Sequence, residues 1–249
     1  MNQQPATPQP TISGKVALVT GAARRLGRSV ALRLAAEGAG VVVHYRDSGV
    51  AAREIVAEIE ALGRRAIAIS ADLRHPEEIR KLFDEALRHF SRLDILVNNA
   101  ALFFPANLET TTEDHWDTLL DTNLKAQFFC AQAAAPALRD AGGVIVNFAS
   151  LGGILPWPGH IPYCVSKAGV IMLTRCLARA LAPQVRVNAI APGTISMPGD
   201  PPEWESDFIR LAPLRRTGTP ADIADAVSYL IHSTFISGQI LVLDGGRSL

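Results

Sequence analysis

The chain has 249 residues, 48% of them hydrophobic, and equal numbers of acidic and basic residues, so its formal net charge at pH 7 is zero. This composition is typical of a globular protein with a sizeable core, excludes a disordered chain, and does not favour a nucleic-acid partner. No apolar run approaches the roughly 18 residues of a membrane span, and the three cysteines lack metal-ligand spacing, so we expect a cytoplasmic protein without a membrane partner or a metal.

The predicted elements alternate between strands and helices. Residues 1–13, rich in proline and glutamine, do not resemble a signal peptide and are expected to form a disordered tail, followed by one domain over residues 14–249. Apolar, often β-branched runs predict seven strands, at residues 15–20, 40–46, 66–70, 93–100, 142–150, 185–192 and 238–246. Helical patterns are found between them at residues 26–38, 51–63, 76–90, 113–139 and 163–182. Pro136 is expected to kink the fourth of these helices.

This alternation predicts the fold class. The strands are nearly all apolar, as expected where helices cover both faces of a sheet. We therefore predict a single-domain α/β protein with a Rossmann-type, doubly wound, mostly parallel seven-stranded sheet, which binds ligands at the carboxyl ends of its strands. The proline-rich segment at about 193–218 fits no strand, and its length favours a substrate lid.

The loop after the first strand reads TGAARRLG, residues 20–27. Gly21 and Gly27 suit a loop in which the backbone approaches a phosphate closely, but Arg24 and Arg25 stand between them. Two bulky arginines in such a loop favour a ligand that binds guanidinium groups.

Further motifs follow in order, and together they resemble the short-chain dehydrogenase/reductase superfamily from about residue 15 to the end. They are the TGAARRLG loop, ADL with Asp72, NNA at residues 98–100, Asn123, Ser150, Tyr163 with Lys167, and Pro192 with Gly193. Within the superfamily the chain is most similar to the pteridine-reductase and dihydromonapterin-reductase branch. The shared features are Arg25 in place of the middle glycine, HYR after strand two, Phe103 in LFFP, and the closing DGGRSL. That branch usually has an aspartate where this chain has Ser150, and often a serine in place of Ala101.

The second strand points to the cofactor. Sheets that prefer NAD usually end this strand with a carboxylate that binds the ribose 2′-hydroxyl, whereas here it ends in His44, Tyr45 and Arg46, with no acid until Asp47. Arginine suits a phosphate because its planar fork donates two hydrogen bonds. We therefore predict that Arg24 and Arg46 bind the 2′-phosphate of NADP(H).

The resemblance also implies the remaining cofactor contacts. Asp72 and Leu73 would receive the adenine, and Pro192 and Gly193 would flank the nicotinamide. Asn98 either passes under the adenosine ribose or ties neighbouring strands. The full predicted set is Gly21, Arg24, Arg25, Leu26, His44, Tyr45, Arg46, Asp72, Leu73, Asn99, Ala100, Tyr163, Lys167, Pro192 and Gly193.

The predicted catalytic residues are Asn123, Ser150, Tyr163 and Lys167. Tyr163 and Lys167 lie four residues apart, on one helix face, and an ammonium beside an oxidised nicotinamide would favour the phenolate. The resemblance implies that Tyr163 transfers the proton and that Lys167 also holds the nicotinamide ribose. Ser150 could donate a hydrogen bond to the reacting oxygen or could merely cap the next turn. Asn123 would hold a relay water or would bond the backbone at a helix kink.

The predicted substrate contacts are Arg25, Phe103, Ser150 and Tyr163, with Leu151, Trp157, Met197 and Trp204 as further candidate walls. A cation that can hydrogen bond the edge of a molecule and a ring that can stack on its face suit a planar, polar substrate. The sequence thus predicts an NADPH-dependent reductase of a carbonyl or imine, assembled by analogy as a homotetramer. Two alternatives remain: a 3-oxoacyl-type or general ketone or quinone reductase, and a non-catalytic NADP(H)-binding sensor.

Overall fold

A computed structural model describes residues 12–197, 199 and 203–249, with the side chains of residues 203 and 204 excepted. It contains one parallel sheet in the order β3-β2-β1-β4-β5-β6-β7. The strands are β1 (Val16–Val19), β2 (Gly40–Tyr45), β3 (Ala66–Ser70), β4 (Ile95–Asn98), β5 (Val144–Phe148), β6 (Arg186–Pro192) and β7 (Ile240–Leu243). The predicted seven-stranded sheet is confirmed, and every neighbouring pair is parallel rather than most of them. A parallel β7 requires a long crossover from β6, which the chain supplies with two helices.

The described residues form eight α-helices, and most of them pack on the two faces of the sheet. They are α1 (Arg25–Ala36), α2 (Gly49–Ala61), α3 (Pro76–Phe90), α4 (Glu113–Leu120), α5 (Ala126–Ala141), α6 (Ile161–Leu181), α7 (Glu203–Leu211) and α8 (Pro220–His232). The last two were not predicted, and α7 lies inside the segment expected to be an irregular lid. A short 3₁₀ turn, Leu151–Gly153, follows β5.

The long helix predicted over 113–139 is divided, but not at Pro136. A π-helical turn, Asp121–Lys125, separates α4 from α5, and Pro136 lies inside the continuous α5. Such turns are frequent at functional sites because the extra residue redirects a side chain. Here the turn contains the buried Asn123.

Buried clusters on both sides of the sheet explain the apolar strands. Along β1, Ala17 and Val19 pack in the cluster formed with α1, α2 and α8, whereas Val16 and Leu18 pack in the cluster formed with α3, α5 and α6. Because successive side chains point to opposite faces, a strand covered on both sides must be apolar throughout.

The first described residue belongs to this core. Ile12 is 2% exposed, and its backbone N–H donates to the Glu37 carbonyl at 3.2 Å. The expected tail over residues 1–13 therefore extends too far, and its residues 1–11 lie outside the described part of the chain.

Helix α6 is, within the described residues, long and apolar enough to cross a membrane by length and composition alone, a test that core helices of globular proteins also meet. The helix packs against β5 and β6 and also places Val165 and Met172 on the surface. The mean hydropathy of α6 is therefore high because both its buried side and part of its exposed side are apolar.

Candidate active site

The loop between β1 and α1 requires both of its glycines. Gly21 has a φ of +63°, and a Cβ there would lie 3.1 Å from the Ala100 Cα. A Cβ on Gly27 would lie 2.3 Å from the Gly21 carbonyl oxygen, so α1 could not approach the loop. Arg25 also has a positive φ, +51°, and therefore takes the backbone conformation of the glycine it replaces while exposing its side chain at the groove.

His44 holds this loop through hydrogen bonds to backbone and also lines the groove, so its contact with the cofactor stays a prediction. Its Nδ1 accepts from the Gly21 N–H at 3.0 Å, and its Nε2 lies 3.0 Å from the Ala71 carbonyl oxygen, so the neutral ring donates from Nε2. Burial lowers the pKa of His44 to about 4. Both ring nitrogens are thus engaged with backbone.

Tyr45 lies apart from the groove, and its contact with the cofactor stays a prediction. Its ring packs against the core cluster on the α1 and α2 side, and it does not line the groove. Neighbouring side chains of a strand point to opposite faces, so His44 and Arg46 reach the groove and Tyr45 does not.

The NNA turn after β4 is fastened to the loop. The Thr20 hydroxyl oxygen accepts from the N–H groups of Asn99 and Ala100, both at 2.9 Å. The Asn99 side chain donates to the Thr20 carbonyl at 2.8 Å. Asn98 Nδ2 donates to Asn147 Oδ1 at 2.9 Å, so Asn98 ties β4 to β5, and it does not line the groove.

Charged side chains surround the end of the groove near β2 and β3. Arg46 pairs with Asp47 at 2.6 Å, and Arg74 holds both carboxylate oxygens of Asp72. The Arg74 hydrogen bonds keep the pKa of Asp72 low, at about 2. Arg24 is exposed and has no ion-pair partner within the described ranges.

Tyr163 and Lys167 project from the first turns of α6 toward the carboxyl end of β5. Lys167 is 2% exposed, and its Nζ donates to the Phe148 carbonyl at 2.8 Å. Burial lowers the pKa of Lys167 to about 7. Lys167 Nζ lies 5.8 Å from the centroid of the Tyr163 ring. Burial raises the pKa of Tyr163, and its hydrogen bond with Ser150 opposes this shift only in part. Tyr163 is therefore a neutral phenol that can donate a proton.

The Ser150 hydroxyl is oriented by the turn that follows it. Its oxygen accepts from the Gly152 N–H at 3.1 Å, so the residue caps the 3₁₀ turn. The same hydroxyl forms the hydrogen bond with Tyr163. The capping and the catalytic interpretation are thus compatible, because the cap fixes the side chain beside the phenol.

Asn123 lies behind these groups and does not line the groove. Its Oδ1 accepts from the Leu102 N–H at 2.7 Å, and its Nδ2 donates to the Leu102 carbonyl at 2.9 Å and to Ser166 Oγ at 3.2 Å. Ser166 in turn donates to the Tyr163 carbonyl at 2.7 Å. The Asn123 side chain therefore joins the loop before Phe103 to α6, as expected for an asparagine that bonds backbone.

An aromatic cluster borders Tyr163. Phe103 stacks on His160 with centroids 4.6 Å apart and meets the Tyr163 ring edge-on at 4.8 Å. Trp157 lies parallel to Tyr163 at 6.1 Å. The sequence analysis missed His160. Its position three residues before Tyr163, one helical turn away, was the available signal.

The α7 segment packs at the carboxyl end of β6. Phe208 packs with Leu151 and Trp157, and a Cβ on Gly193 would lie 2.8 Å from the Phe208 ring. Gly193 is therefore needed for α7 to pack at the end of β6. Met197 does not line the groove, and the Trp204 side chain lies outside the described residues.

These elements form a groove of about 550 Å³ along the carboxyl ends of the strands. The predicted site residues that line it are Gly21, Arg24, Arg25, Leu26, His44, Arg46, Asp72, Leu73, Asn99, Ala100, Phe103, Ser150, Tyr163, Lys167, Pro192 and Gly193. Glycines that admit close backbone approach stand at its centre, cations at one end and the Tyr163 phenol at the other. This order fits a dinucleotide with a 2′-phosphate.

Comparisons with known proteins agree with this geometry. The family model described as enoyl-(acyl carrier protein) reductase matches residues 21–248. The chain is 41% identical to 3-oxoacyl-(acyl-carrier-protein) reductase FabG of Staphylococcus aureus, over 93% of this chain and 97% of the relative. It is 39% identical to hydroxynaphthalene reductase-like protein Arp2 of Metarhizium brunneum, over 95% and 96% of the two chains.

A solved structure of similar sequence and fold contains a bound cofactor. A short-chain dehydrogenase from Burkholderia cenocepacia in complex with NADP superposes with a TM-score of 0.91 at 38% identity, covering 96% of this chain and 100% of that one. The groove chemistry, the family match and these relatives agree: the chain belongs to the short-chain dehydrogenase/reductase superfamily and is an NADP(H)-dependent oxidoreductase.

Proposed function

We propose that the enzyme uses NADPH to reduce the carbonyl group of a small, planar substrate. The observation that supports this proposal best is the contact between the Ser150 hydroxyl and the neutral Tyr163 phenol beside an aromatic cluster. Two hydroxyl donors next to each other suit an oxygen that becomes negatively charged.

The proposed reaction divides the work between cofactor and protein. NADPH supplies the hydride that reduces the carbonyl carbon. Ser150 donates a hydrogen bond to the carbonyl oxygen, and Tyr163 transfers its phenolic proton to that oxygen. The raised pKa of Tyr163 keeps the phenol protonated near neutral pH, as a reductase requires.

Lys167 and Asn123 support these groups in different ways. In its protonated form, Lys167 would stabilise the phenolate left after proton transfer. Its position at the groove also allows the proposed contact with the nicotinamide ribose. Asn123 acts through Leu102 and Ser166, and thereby fixes the loop that presents Phe103.

The aromatic cluster supports a planar substrate. Phe103 is 54% exposed although it stacks on His160, so part of its ring remains available at the groove. Aromatic rings bind flat molecules by offset stacking or edge contacts. The similarity to a hydroxynaphthalene reductase-like protein points in the same direction. Arg25 also lines the groove and could hydrogen bond the polar edge of such a molecule.

Two other substrates are second candidates. The similarity to 3-oxoacyl-(acyl-carrier-protein) reductase favours a 3-oxoacyl thioester, which needs only the carbonyl machinery. Arg25 and Phe103 favour a pterin, as in the pteridine-reductase branch. Reduction of a dihydropterin imine needs an acid that protonates a ring nitrogen, and a serine hydroxyl is a poor one, so we expect this reaction to be slow.

A Ser150→Asp variant tests the proposal. A carboxyl group can protonate a ring nitrogen, so the variant should gain activity on dihydrobiopterin and lose activity on a simple diketone or quinone, relative to the parent. Initial rates of NADPH consumption on both substrates measure this. Ser150→Ala is the control and should lose activity on both. Efficient reduction of dihydrobiopterin by the parent would contradict the proposed role of Ser150.

Arg24→Ala should weaken NADPH binding and leave NADH binding nearly unchanged. Losing a hydrogen bond to a charged group costs about 1.5–3 kcal/mol, equivalent to about 10- to 150-fold in Kd. Titration of both cofactors measures the effect. Arg28→Ala is the matched control, because Arg28 pairs with Glu58 and does not line the groove. Equal losses for NADPH and NADH would contradict a 2′-phosphate contact.

The homotetramer and the cytoplasmic location stay predictions. Exposed apolar side chains on three neighbouring helices, Trp116 of α4, Phe128 of α5 and Met172 of α6, are compatible with a subunit interface.

A further inference from the structure

The aromatic cluster beside Tyr163 has a tightly packed side and a more open side. Trp157 lies parallel to Tyr163 and is packed tightly, because a Cβ on Gly152 would lie 2.8 Å from its ring. Phe103, by contrast, lies on the irregular segment between β4 and α4 and is 54% exposed. A half-exposed side chain on a loop exchanges rotamers readily unless its neighbours prevent it. The orientation of Phe103 therefore depends on the rings that contact it.

His160 provides the one face-to-face contact with Phe103 among the described residues. The two ring planes are 4° apart and the centroids 4.6 Å apart, whereas Tyr163 and Trp157 meet Phe103 edge-on. His160 is the N-cap of α6, but its side chain forms no capping hydrogen bond. Burial lowers the pKa of His160, so the imidazole is uncharged at pH 7 and stacks as a neutral ring. Since Phe103 lines the groove and His160 does not, the imidazole acts on a bound substrate through Phe103.

The backbone on both sides of Phe103 is held by hydrogen bonds. After Phe103, the Ala106 N–H donates to the Gly159 carbonyl at 2.8 Å, which joins this segment to the start of α6. Before Phe103, the side chain of Asn123 bonds both the N–H and the carbonyl of Leu102. The Phe103 ring can therefore move mainly by rotation of its side chain, and the stacked imidazole restricts that rotation.

We propose that His160 is a positioning residue that holds the Phe103 ring edge-on to Tyr163 and thereby determines how well the site binds planar substrates. This inference rests on the proposed reduction of a planar carbonyl compound. The alternative role for His160 is a hydrogen bond from the imidazole to the substrate. The two roles differ in the replacement that restores binding: an aromatic ring for positioning, and an amide for a hydrogen bond.

The test measures kcat and KM of His160→Ala with NADPH, on a planar quinone and on a simple diketone that has no ring. KM for the quinone should rise about two- to tenfold, the effect of losing one aromatic pair, while kcat and both constants for the diketone stay nearly unchanged. His160→Phe keeps a ring that can stack and should restore the KM of the parent, whereas His160→Gln should not. His89→Ala is the matched control, because His89 also contacts a phenylalanine ring, Phe90, and does not line the groove.

The Kd of a naphthol, a planar ligand without a carbonyl group, provides a readout that does not depend on turnover. Measured by calorimetry with NADP⁺ bound, it should rise in His160→Ala by about the same factor as KM for the quinone. This measurement separates two failures. If the parent reduced no quinone, the proposed function would be wrong, whereas weaker naphthol binding in His160→Ala would still support the positioning role.

A double variant isolates the role of Phe103. When His160→Ala is introduced into Phe103→Leu, naphthol binding should not weaken further, because no ring remains to be positioned. The proposal would be overturned by unchanged naphthol binding in His160→Ala, by an equal rise of KM for the quinone and the diketone, or by a full effect in the Phe103→Leu background. Restoration by His160→Gln and not by His160→Phe would also overturn it, since the imidazole would then act as a hydrogen-bonding group.

Discussion

Replacing Tyr163 with phenylalanine should abolish turnover while the protein keeps its fold and binds NADPH as before. The phenylalanine ring can still pack beside Trp157 and Phe103, but the transferable proton and the hydrogen bond with Ser150 are gone. General acid catalysis contributes about 10²- to 10⁴-fold, and we expect kcat to fall within or below that range. Steady-state rates and an NADPH titration on the same preparation measure the two properties.

Tyr229→Phe provides the matched control, because Tyr229 is an exposed tyrosine of α8 that does not line the groove. It should retain the parent's kcat. Near-normal turnover of Tyr163→Phe would show that another group supplies the proton and would contradict the assignment of Tyr163 as the general acid.

Lys167→Met should also remove most of the activity, and it should change how stability depends on pH. The folded-state pKa of Lys167 is lowered to about 7 by burial, whereas an unfolded lysine titrates near about 10.4. Between these values the unfolded chain binds more protons than the folded protein, so the stability of the parent rises with pH in this window. Below pH 7 the folded protein retains the full cost of burying the charge.

The free energy of unfolding of the parent, relative to Lys167→Met, should therefore rise by up to about 1.4 kcal/mol per pH unit from neutral pH to about pH 9. Denaturant unfolding of both proteins without cofactor, at several pH values, measures this slope. Tyr163→Phe, which keeps Lys167, should show the slope of the parent. If the difference in unfolding free energy between the parent and Lys167→Met stayed constant over this pH range, that result would contradict a buried Lys167 that loses its proton.

The fold could be predicted because its strongest signals are local. Apolar runs such as 40–46 and 185–192 alternate with helical patterns, and a parallel sheet follows once strands are apolar on both faces. The meeting of Ser150 and Tyr163 followed from the same argument, since the ends of parallel strands and the starts of their helices share one edge of the sheet.

The surroundings of several predicted site residues depend on contacts between distant parts of the chain. His44 and Tyr45 are adjacent in β2, and only the tertiary structure shows that His44 bonds Gly21 and Ala71 while Tyr45 packs in the core. The π-helical turn at Asn123 reflects that side chain's bonds to Leu102, 21 residues away. A helical pattern over 113–139 contains no sign of this constraint.

The role of Arg46 was uncertain for a different reason. Its partner Asp47 is the next residue, so the pair is local, but the sequence does not determine whether the guanidinium turns toward that carboxylate or toward the groove. The aromatic cluster could also be predicted only in part. The sequence suggested Phe103 and Trp157 as walls of the site, whereas the role of His160 is seen only from its stacking on Phe103 in the structure.

The most direct test of the proposed carbonyl reduction is kcat/KM of the parent enzyme with NADPH on four substrates: a planar quinone, a simple diketone, a 3-oxoacyl thioester and dihydrobiopterin. We predict the highest value for the quinone and the lowest for the dihydropterin, because the aromatic cluster favours a planar substrate and the hydroxyl pair of Ser150 and Tyr163 favours an oxygen over a ring nitrogen. The highest value on dihydrobiopterin, or no NADPH consumption with any of the carbonyl compounds, would contradict the proposal.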